Sequence, residues 1–261
     1  METDRNFDDL AHRFRKKVYG GLKGEIRLAI LEKDLGEFFP RALSPVGGKP
    51  MNVLDAGGGY GPFSLGLAKR GHHITLCDIS RNMLDLAEER FSRAGVLDRL
   101  TLCHCPVQEL SPAGSDGYDL ILCHALLGWV AAPRELIRCL MDLLPRSGVL
   151  SMTFYNLKGM IYKNLLRTNY KKILKKKYTG YPGSLTPTRP RDPDTVLKWL
   201  AGHPFNILCH SGIRVFHDYI LDPADRERDP QTVKALELEF SRQLPYRDLG
   251  RYQHILGVKN I

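Results

Sequence analysis

The sequence predicts an α/β fold in which a mostly parallel, seven-stranded sheet carries helices on both faces. Three observations point there. Between Met51 and Tyr155, short β-rich runs alternate with helix-like patterns, the order that a parallel sheet with helical crossovers requires. The first of these runs ends in the glycine-rich turn VLDAGGGYG, as expected where a strand meets a ligand at the carboxyl edge of such a sheet. A chain of 261 residues, 43% of them apolar, can bury one full core, so residues 1–261 are read as a single domain.

The elements follow in order. FDDLAHRFRKKVYGGLKGEIRLAILEKDLGEFF reads as two helices of an N-terminal extension over residues 1–48. MNVLDA, HHITLCD (72–78), LTLCHC (100–105), YDLILCHA (118–125) and GVLSMTFY (148–155) read as strands, rich in the β-branched and aliphatic residues that suit a buried sheet. Helices are expected from near Gly61, Ser80 and Pro133. Ser80 is a good N-cap because its hydroxyl can accept an otherwise unpaired amide, and Gly95 ends the same helix. NILCHSGIRVF and RYQHILGV are expected to close the sheet, with DTVLKWLAG and PQTVKALELEFSRQL as helices. If the first of those strands continues through Tyr219, Arg214, Phe216 and Asp218 face one way and Val215, His217 and Tyr219 the other.

Residues 156–193 interrupt this rhythm and read as a basic insertion or cap, helical at first and then Pro-rich. The whole chain carries a net charge of +9. From Leu143 to Arg191 there is no Asp or Glu, while eleven Lys and Arg residues fall in that window. The excess is therefore localised, as on a surface that meets a polyanion. Lys171, Lys172, Lys175, Lys176 and Lys177 lie among Tyr155, Tyr162, Tyr170, Tyr178 and Tyr181. Cations that hold phosphates, interleaved with rings that stack on unpaired bases, suit an RNA loop.

No run approaches the roughly 18 apolar residues of a membrane span, and the charged start METDRNFDDLAHRFRKK is unlike a signal peptide, so a cytoplasmic protein without membrane partners is expected. The six cysteines fall mostly in apolar, strand-like runs and are expected to be reduced. The CHC triplet at Cys103–Cys105 gives no zinc spacing, since a strand sends alternate side chains to opposite faces; no metal is expected.

In VLDAGGGYG, Asp55 is followed by Gly57, Gly58, Gly59 and Gly61, so the backbone can turn tightly and approach a ligand. The dinucleotide fingerprint G-x-G-x-x-G fails when counted from Gly57, because its third glycine falls on Pro62; counted from Gly59 it meets Ser64. The pattern D-x-G-x-G-x-G instead resembles the cofactor motif of Rossmann-like class I methyltransferases that use S-adenosylmethionine (SAM). Asp78, which ends the second strand, can accept hydrogen bonds from both hydroxyls of a ribose. Asp55 either caps the strand end on the turn amides or contacts the SAM amine.

Together with RNFDDLAHRF, YGGLKGEIRLAIL, LCDIS, LCHALLGWVAAPRELI, RSGVLSMTFYN, PRDPDTVLKWL, GIRVFHDYI and LGRYQHI, this motif resembles the bacterial tRNA 5-carboxymethoxyuridine methyltransferases over nearly the whole chain. The resemblance implies methylation of the carboxymethoxy group of the wobble uridine to its methyl ester, with the tRNA anticodon stem-loop as partner. It further implies that Arg27, Gly57, Gly58, Asp78, Gln108 and His124 hold SAM. Val107 stands before the glutamine, where the family usually has a small residue. Arg27 would clamp the methionyl carboxylate with a planar, bidentate guanidinium.

A carboxylate acceptor is already ionised at neutral pH, so no general base is expected. The enzyme must align it and strip its water. Arg214 and Arg251 are the expected carboxylate anchors, with His217 and Tyr219 also positioned near the acceptor, and Trp129 either stacks on uracil or fills core. Two other readings are a SAM-dependent methyltransferase of small molecules, which has no use for the basic insertion, and an RNA-binding module with a degenerate site, against which the intact glycine turn and Asp78 argue.

Overall fold

A computed structural model describes residues 4–9, 20–44, 48–111, 117–176, 178–179 and 185–260. Most of the expected first helix, and Lys177, lie outside the described residues. The seven strands are β1 (Asn52–Ala56), β2 (His73–Cys77), β3 (Leu100–Cys103), β4 (Leu120–His124), β5 (Val149–Tyr155), β6 (Phe205–Ile213) and β7 (Tyr252–Lys259). They form one sheet in the order β3-β2-β1-β4-β5-β7-β6. β1 pairs in parallel with both β2 and β4, so the order in which successive strands are laid down reverses at β1, the place where open α/β sheets leave a crevice for ligands. Only β7 breaks the parallel pattern; it runs antiparallel to β5 and to β6.

The helices are α1 (Gly21–Phe38), α2 (Ser64–Ala68), α3 (Arg81–Arg93), α4 (Pro133–Leu143), α5 (Leu157–Leu166), α6 (Tyr170–Leu174), α7 (Pro193–Leu200), α8 (Pro230–Phe240) and α9 (Tyr246–Leu249). Side-chain alternation along the strands assigns them to two layers. Leu54, Ile121, Cys123, Leu150 and Met152 pack with Leu136, Leu140 and Met141 of α4 and Val196 and Leu200 of α7. Val53, Ile74, Leu76, Leu120 and Leu122 pack on the other face with Leu31 and Leu35 of α1, Leu65 and Leu67 of α2, and Leu84 and Phe91 of α3. Ser80 caps α3, its Oγ accepting from the Met83 amide at 3.2 Å.

The strand expected through Phe216 stops at Ile213, and the alternation proposed for Arg214–Tyr219 does not occur. Arg214 takes φ +58°, and His217–Tyr219 form a 3-10 turn. The cause sits in α8. The buried Glu237 carboxylate accepts the amides of Val215 (2.7 Å), Phe216 (3.1 Å) and His217 (2.8 Å), so these donors are spent on a side chain and not on a sheet ladder. α1 is likewise a working layer of the core, with Ile26, Ile30, Leu31 and Leu35 fully buried.

Candidate active site

β1 delivers the glycine turn to the carboxyl edge of the sheet. Gly57 and Gly59 take φ +63° and +57°, a region in which a Cβ is strained. At Gly58 the constraint is contact: a Cβ there would lie 2.5 Å from the Asp55 carboxyl carbon. Asp55 thus sits directly beneath the turn. Its Oδ2 accepts from Ser64 Oγ at 2.6 Å, and it does not reach the cavity wall. Burial pushes its carboxyl up to about 7, against the Ser64 hydrogen bond and with the help of the Asp78 charge.

Asp78 stands at the end of β2 and serves both sides of the crevice. Oδ2 accepts the Gly59 amide at 2.9 Å, and Oδ1 the Ser80 amide at 2.8 Å. Burial raises its carboxyl, and these two amides pull it back. Each oxygen retains acceptor capacity for a further donor. Beyond it opens a cavity of about 960 Å³, mouth included, whose walls include Gly57–Gly59, Asp78, Val107, Gln108, His124 and Tyr252. Val107 is buried and Gln108 exposed, both in a 3-10 turn over Val107–Glu109. His124, last residue of β4, stands half-buried on the other side of β1 from Asp78, with Nε2 2.9 Å from Ser151 Oγ. Burial lowers its imidazole well below the ordinary value, and the neighbouring His254 and Arg27 act in the same direction.

Two segments that sequence reasoning did not assign to the site also wall it. Residues 4–9 cross the mouth: Asp4 Oδ1 accepts the Ala131 amide (2.7 Å), Asn6 Nδ2 donates to the Ile79 carbonyl (3.0 Å), and Asp8 Oδ1 accepts from Ser80 Oγ (2.6 Å). Phe7 meets Trp129 edge-on at 4.7 Å between centroids, so Trp129 is both cavity wall and packed ring. Residues 185–191, the irregular end of the insertion, fold back on the loop after β4. Arg191 donates to the Leu127 (2.9 Å) and Val130 (3.2 Å) carbonyls, and Pro187 lines the cavity. No local pattern signals these contacts, because they join residues more than fifty positions apart.

The other residues singled out in the sequence gather one ring's thickness away, around Tyr155 and Tyr252. Arg27 is buried on α1, not solvated, with its guanidinium 4.4 Å from the Tyr252 ring centroid; that of Arg214 is 5.7 Å from the same ring, and that of Arg251 is 4.6 Å from Tyr155. Asp218 lies 2.9 Å from Lys163 Nζ and 3.3 Å from Arg214 Nε. Burial raises the Asp218 carboxyl, but Arg214, Lys163 and Arg251 outweigh it and hold it well below the carboxylate range. Tyr219 spends its hydroxyl on the Leu249 and Gly159 carbonyls at 2.6 and 3.0 Å, and His217 is fully buried beside Asp218. Neither reaches the cavity wall.

A methyltransferase-domain family model matches residues 53–148, the span from β1 to the start of β5. Among solved structures, magnesium protoporphyrin IX methyltransferase from Synechocystis with bound S-adenosylhomocysteine superposes with a TM-score of 0.63 over 97% of this chain and 96% of that one, at 17% identity. The [4+2]-cyclase SpnF superposes at 0.58, with 16% identity, 90% of this chain and 81% of that one. Likeness at this identity speaks for fold alone. Sequence goes further. The tRNA 5-carboxymethoxyuridine methyltransferase of Escherichia coli K12 is 40% identical over 256 residues, covering 98% of this chain and 97% of that protein, and the O157:H7 protein matches equally. The chain belongs to the tRNA 5-carboxymethoxyuridine methyltransferase family.

For a member of this family the cavity must accept SAM, and its walls suit that ligand. The turn amides and the two-sided Asp78 offer a ribose and backbone cradle, in which Gly58 leaves no room for a side chain. By contrast, a ubiquinone biosynthesis O-methyltransferase from Psychrobacter arcticus matches at 29% identity over only 40% of either chain, whereas the likeness to the tRNA 5-carboxymethoxyuridine methyltransferases runs through 98% of this one.

Proposed function

We propose that this protein uses SAM to methylate the carboxylate of 5-carboxymethoxyuridine at the wobble position of tRNA, giving the methyl ester. The observation that carries the reading is the juxtaposition of a nucleotide-shaped glycine cradle with a cluster of half-buried cations one aromatic ring away. Arg214, Lys163 and Arg251, all half-buried, act on a single buried carboxylate, Asp218, and a surplus of positive charge largely withdrawn from water favours an incoming anion.

On this reading SAM, when bound, supplies an electrophilic methyl on sulfur, and the chain does the rest. Asp78 holds the ribose, Gly57, Gly58 and Gly59 give backbone contacts, Val107 and Gln108 border the adenine, and Arg27 and His124 flank the methionyl end. Asp55 supports the turn from below. Arg214 and Arg251 orient the acceptor carboxylate and replace its water without taking its charge. Because that carboxylate, with an ordinary pKa of roughly 4, is ionised near neutrality, no side chain has to remove a proton. His217 and Tyr219 act through the chain they hold: Tyr219 ties α5 to the carbonyls that precede β7.

The anticodon stem-loop is proposed to lie along α5 and α6. Lys171, Lys172, Lys175 and Lys176 form no ion pair among the described residues, in contrast to Lys158, held by Asp194 at 2.8 Å. Tyr162 and Tyr170 are exposed on the same stretch. Lys177, also assigned to this grip, lies outside the described residues. Residues 156–193 thus serve as an RNA-facing insertion, and the enzyme works in the cytoplasm with its tRNA; among the described residues no helix is long and apolar enough to cross a membrane.

The test is incubation with labelled SAM and tRNA that lacks the endogenous methyl ester, followed by nucleoside mass spectrometry. The product should lose its methyl on brief mild alkali and return the acid. An alkali-stable methyl nucleoside as sole product overturns the carboxylate acceptor.

A further inference from the structure

Behind His124 runs a buried chain of polar side chains that the methyl-transfer reading leaves unused. His124 Nε2 is 2.9 Å from Ser151 Oγ, Ser151 Oγ is 2.9 Å from His254 Nε2, and His254 Nδ1 is 2.7 Å from Asp34 Oδ2. Asp34 Oδ1 receives Arg242 Nε at 3.0 Å and Nη2 at 2.5 Å. Ser151, His254 and Asp34 are fully buried, and they come from β5, β7 and α1. The chain therefore runs from the cavity wall across the neighbouring strands β4, β5 and β7 to α1.

Valence decides which way each proton points. Arg242 has only donors: Nε and Nη2 go to buried Asp34, and Nη1 goes to Glu37 at 2.7 Å, a carboxylate exposed enough for water to screen its charge. Asp34 is the buried anion of the cluster and Arg242 already matches it, so a second proton on the fully buried His254 would add a charge with no buried counter-ion left to it. Burial pushes the Asp34 carboxyl up, yet the His254 and Arg242 contacts outweigh it and bring it to about 2, so Asp34 is an acceptor. Neutral His254 must then donate through Nδ1 and accept at Nε2. Ser151 has one hydroxyl proton, and it goes to His254. Its oxygen is left to accept from His124, which therefore carries its proton on Nε2.

We propose that Asp34, His254 and Ser151 are positioning residues that lock His124 as the Nε2–H tautomer, so that its Nδ1 presents a lone pair to the cavity for a cationic N–H donor, the ammonium of SAM. This rests on the reading that the methionyl end lies against His124. Nδ1 has no protein partner among the described residues, and His124 is a wall of the cavity. An acceptor there welcomes an ammonium and turns away a carboxylate, which separates the donor's amine from the acceptor's anion within one pocket.

The experiment is long-range 1H–15N spectroscopy of histidine-labelled protein, paired with calorimetry of SAM binding in the absence of RNA. Wild type should show His124 protonated at Nε2. Asp34→Asn preserves volume; Arg242 draws the new amide's oxygen, its NH2 faces His254, and every proton along the chain reverses. His124 should then be protonated at Nδ1, with SAM bound about tenfold more weakly, the loss expected for one charge-assisted hydrogen bond. Ser151→Ala, which leaves α1 intact, should yield mixed tautomers and an intermediate affinity. Nδ1–H in the wild type overturns the proposal, as does a folded Ser151→Ala or Asp34→Asn variant with an unchanged tautomer, or a reversed tautomer with unchanged SAM affinity. No RNA enters the assay, so the wobble-uridine reading stands or falls by its own test.

Discussion

Asp78 and Asp55 lie on neighbouring strands, are both buried carboxylates next to one glycine turn, and do different work. Asp78 divides its oxygens between the Gly59 and Ser80 amides and still faces the cavity. Asp55 is turned under Gly58 and takes its hydrogen bond from Ser64. The motif alone allowed either role for Asp55, because a residue at a strand end can cap a turn or meet a ligand and only the contact beneath Gly58 separates the two. Asp78→Ala should weaken SAM binding by about 1.5 to 3 kcal/mol, the usual worth of hydrogen bonds to a charged group. Calorimetry that returned wild-type affinity would remove Asp78 from the ribose site.

At the scale of elements, the turn after β6 shows how a helix can reshape a strand. Apolar alternation in NILCHSGIRVF reads as a strand to its end, but Glu237 of α8 collects three successive amides and bends the chain at Arg214. That bend brings Arg214 to Asp218 at 3.3 Å and to the Tyr252 ring. Glu237→Gln places an NH2 against backbone donors. It should cost about 1 to 3 kcal/mol of stability for an unsatisfied buried group, seen as a lower urea midpoint. Turnover on tRNA should fall further than SAM affinity, since the bend sets Arg214 and not the glycine cradle. Equal losses in both would mean that the turn supports the whole domain and not the acceptor side alone.

For the molecule as a whole, charge separates into a half that is spent and a half that is presented. Arg191 is committed to the Leu127 and Val130 carbonyls and Lys163 to Asp218, so part of the basic window of the sequence is structural. The lysines of α6 and just after it are not committed in this way among the described residues. Replacing Lys171, Lys172, Lys175 and Lys176 with Gln should weaken tRNA binding and leave SAM binding alone. The slope of log K against log salt should shrink by roughly 2 to 3, at about 0.7 per phosphate contact on a single strand. An unaltered slope would make this surface merely solvated.

Local chemistry made most of the architecture readable from the sequence: strand and helix periods, the Ser80 cap, the glycine turn and Asp78 each depend on residues within one or two turns of chain. The acid-free window was readable for the same reason, being a property of contiguous residues. Tertiary structure alone decided the rest. Nothing local says that Arg27 is buried until β7 brings Tyr252 against it, and Asp34, Ser151 and His254 are separate polar residues on three elements until the sheet closes and joins them. The physical reason is that a buried charge or hydroxyl takes its role from whichever partner relieves its desolvation, and here those partners are supplied from the far end of the chain.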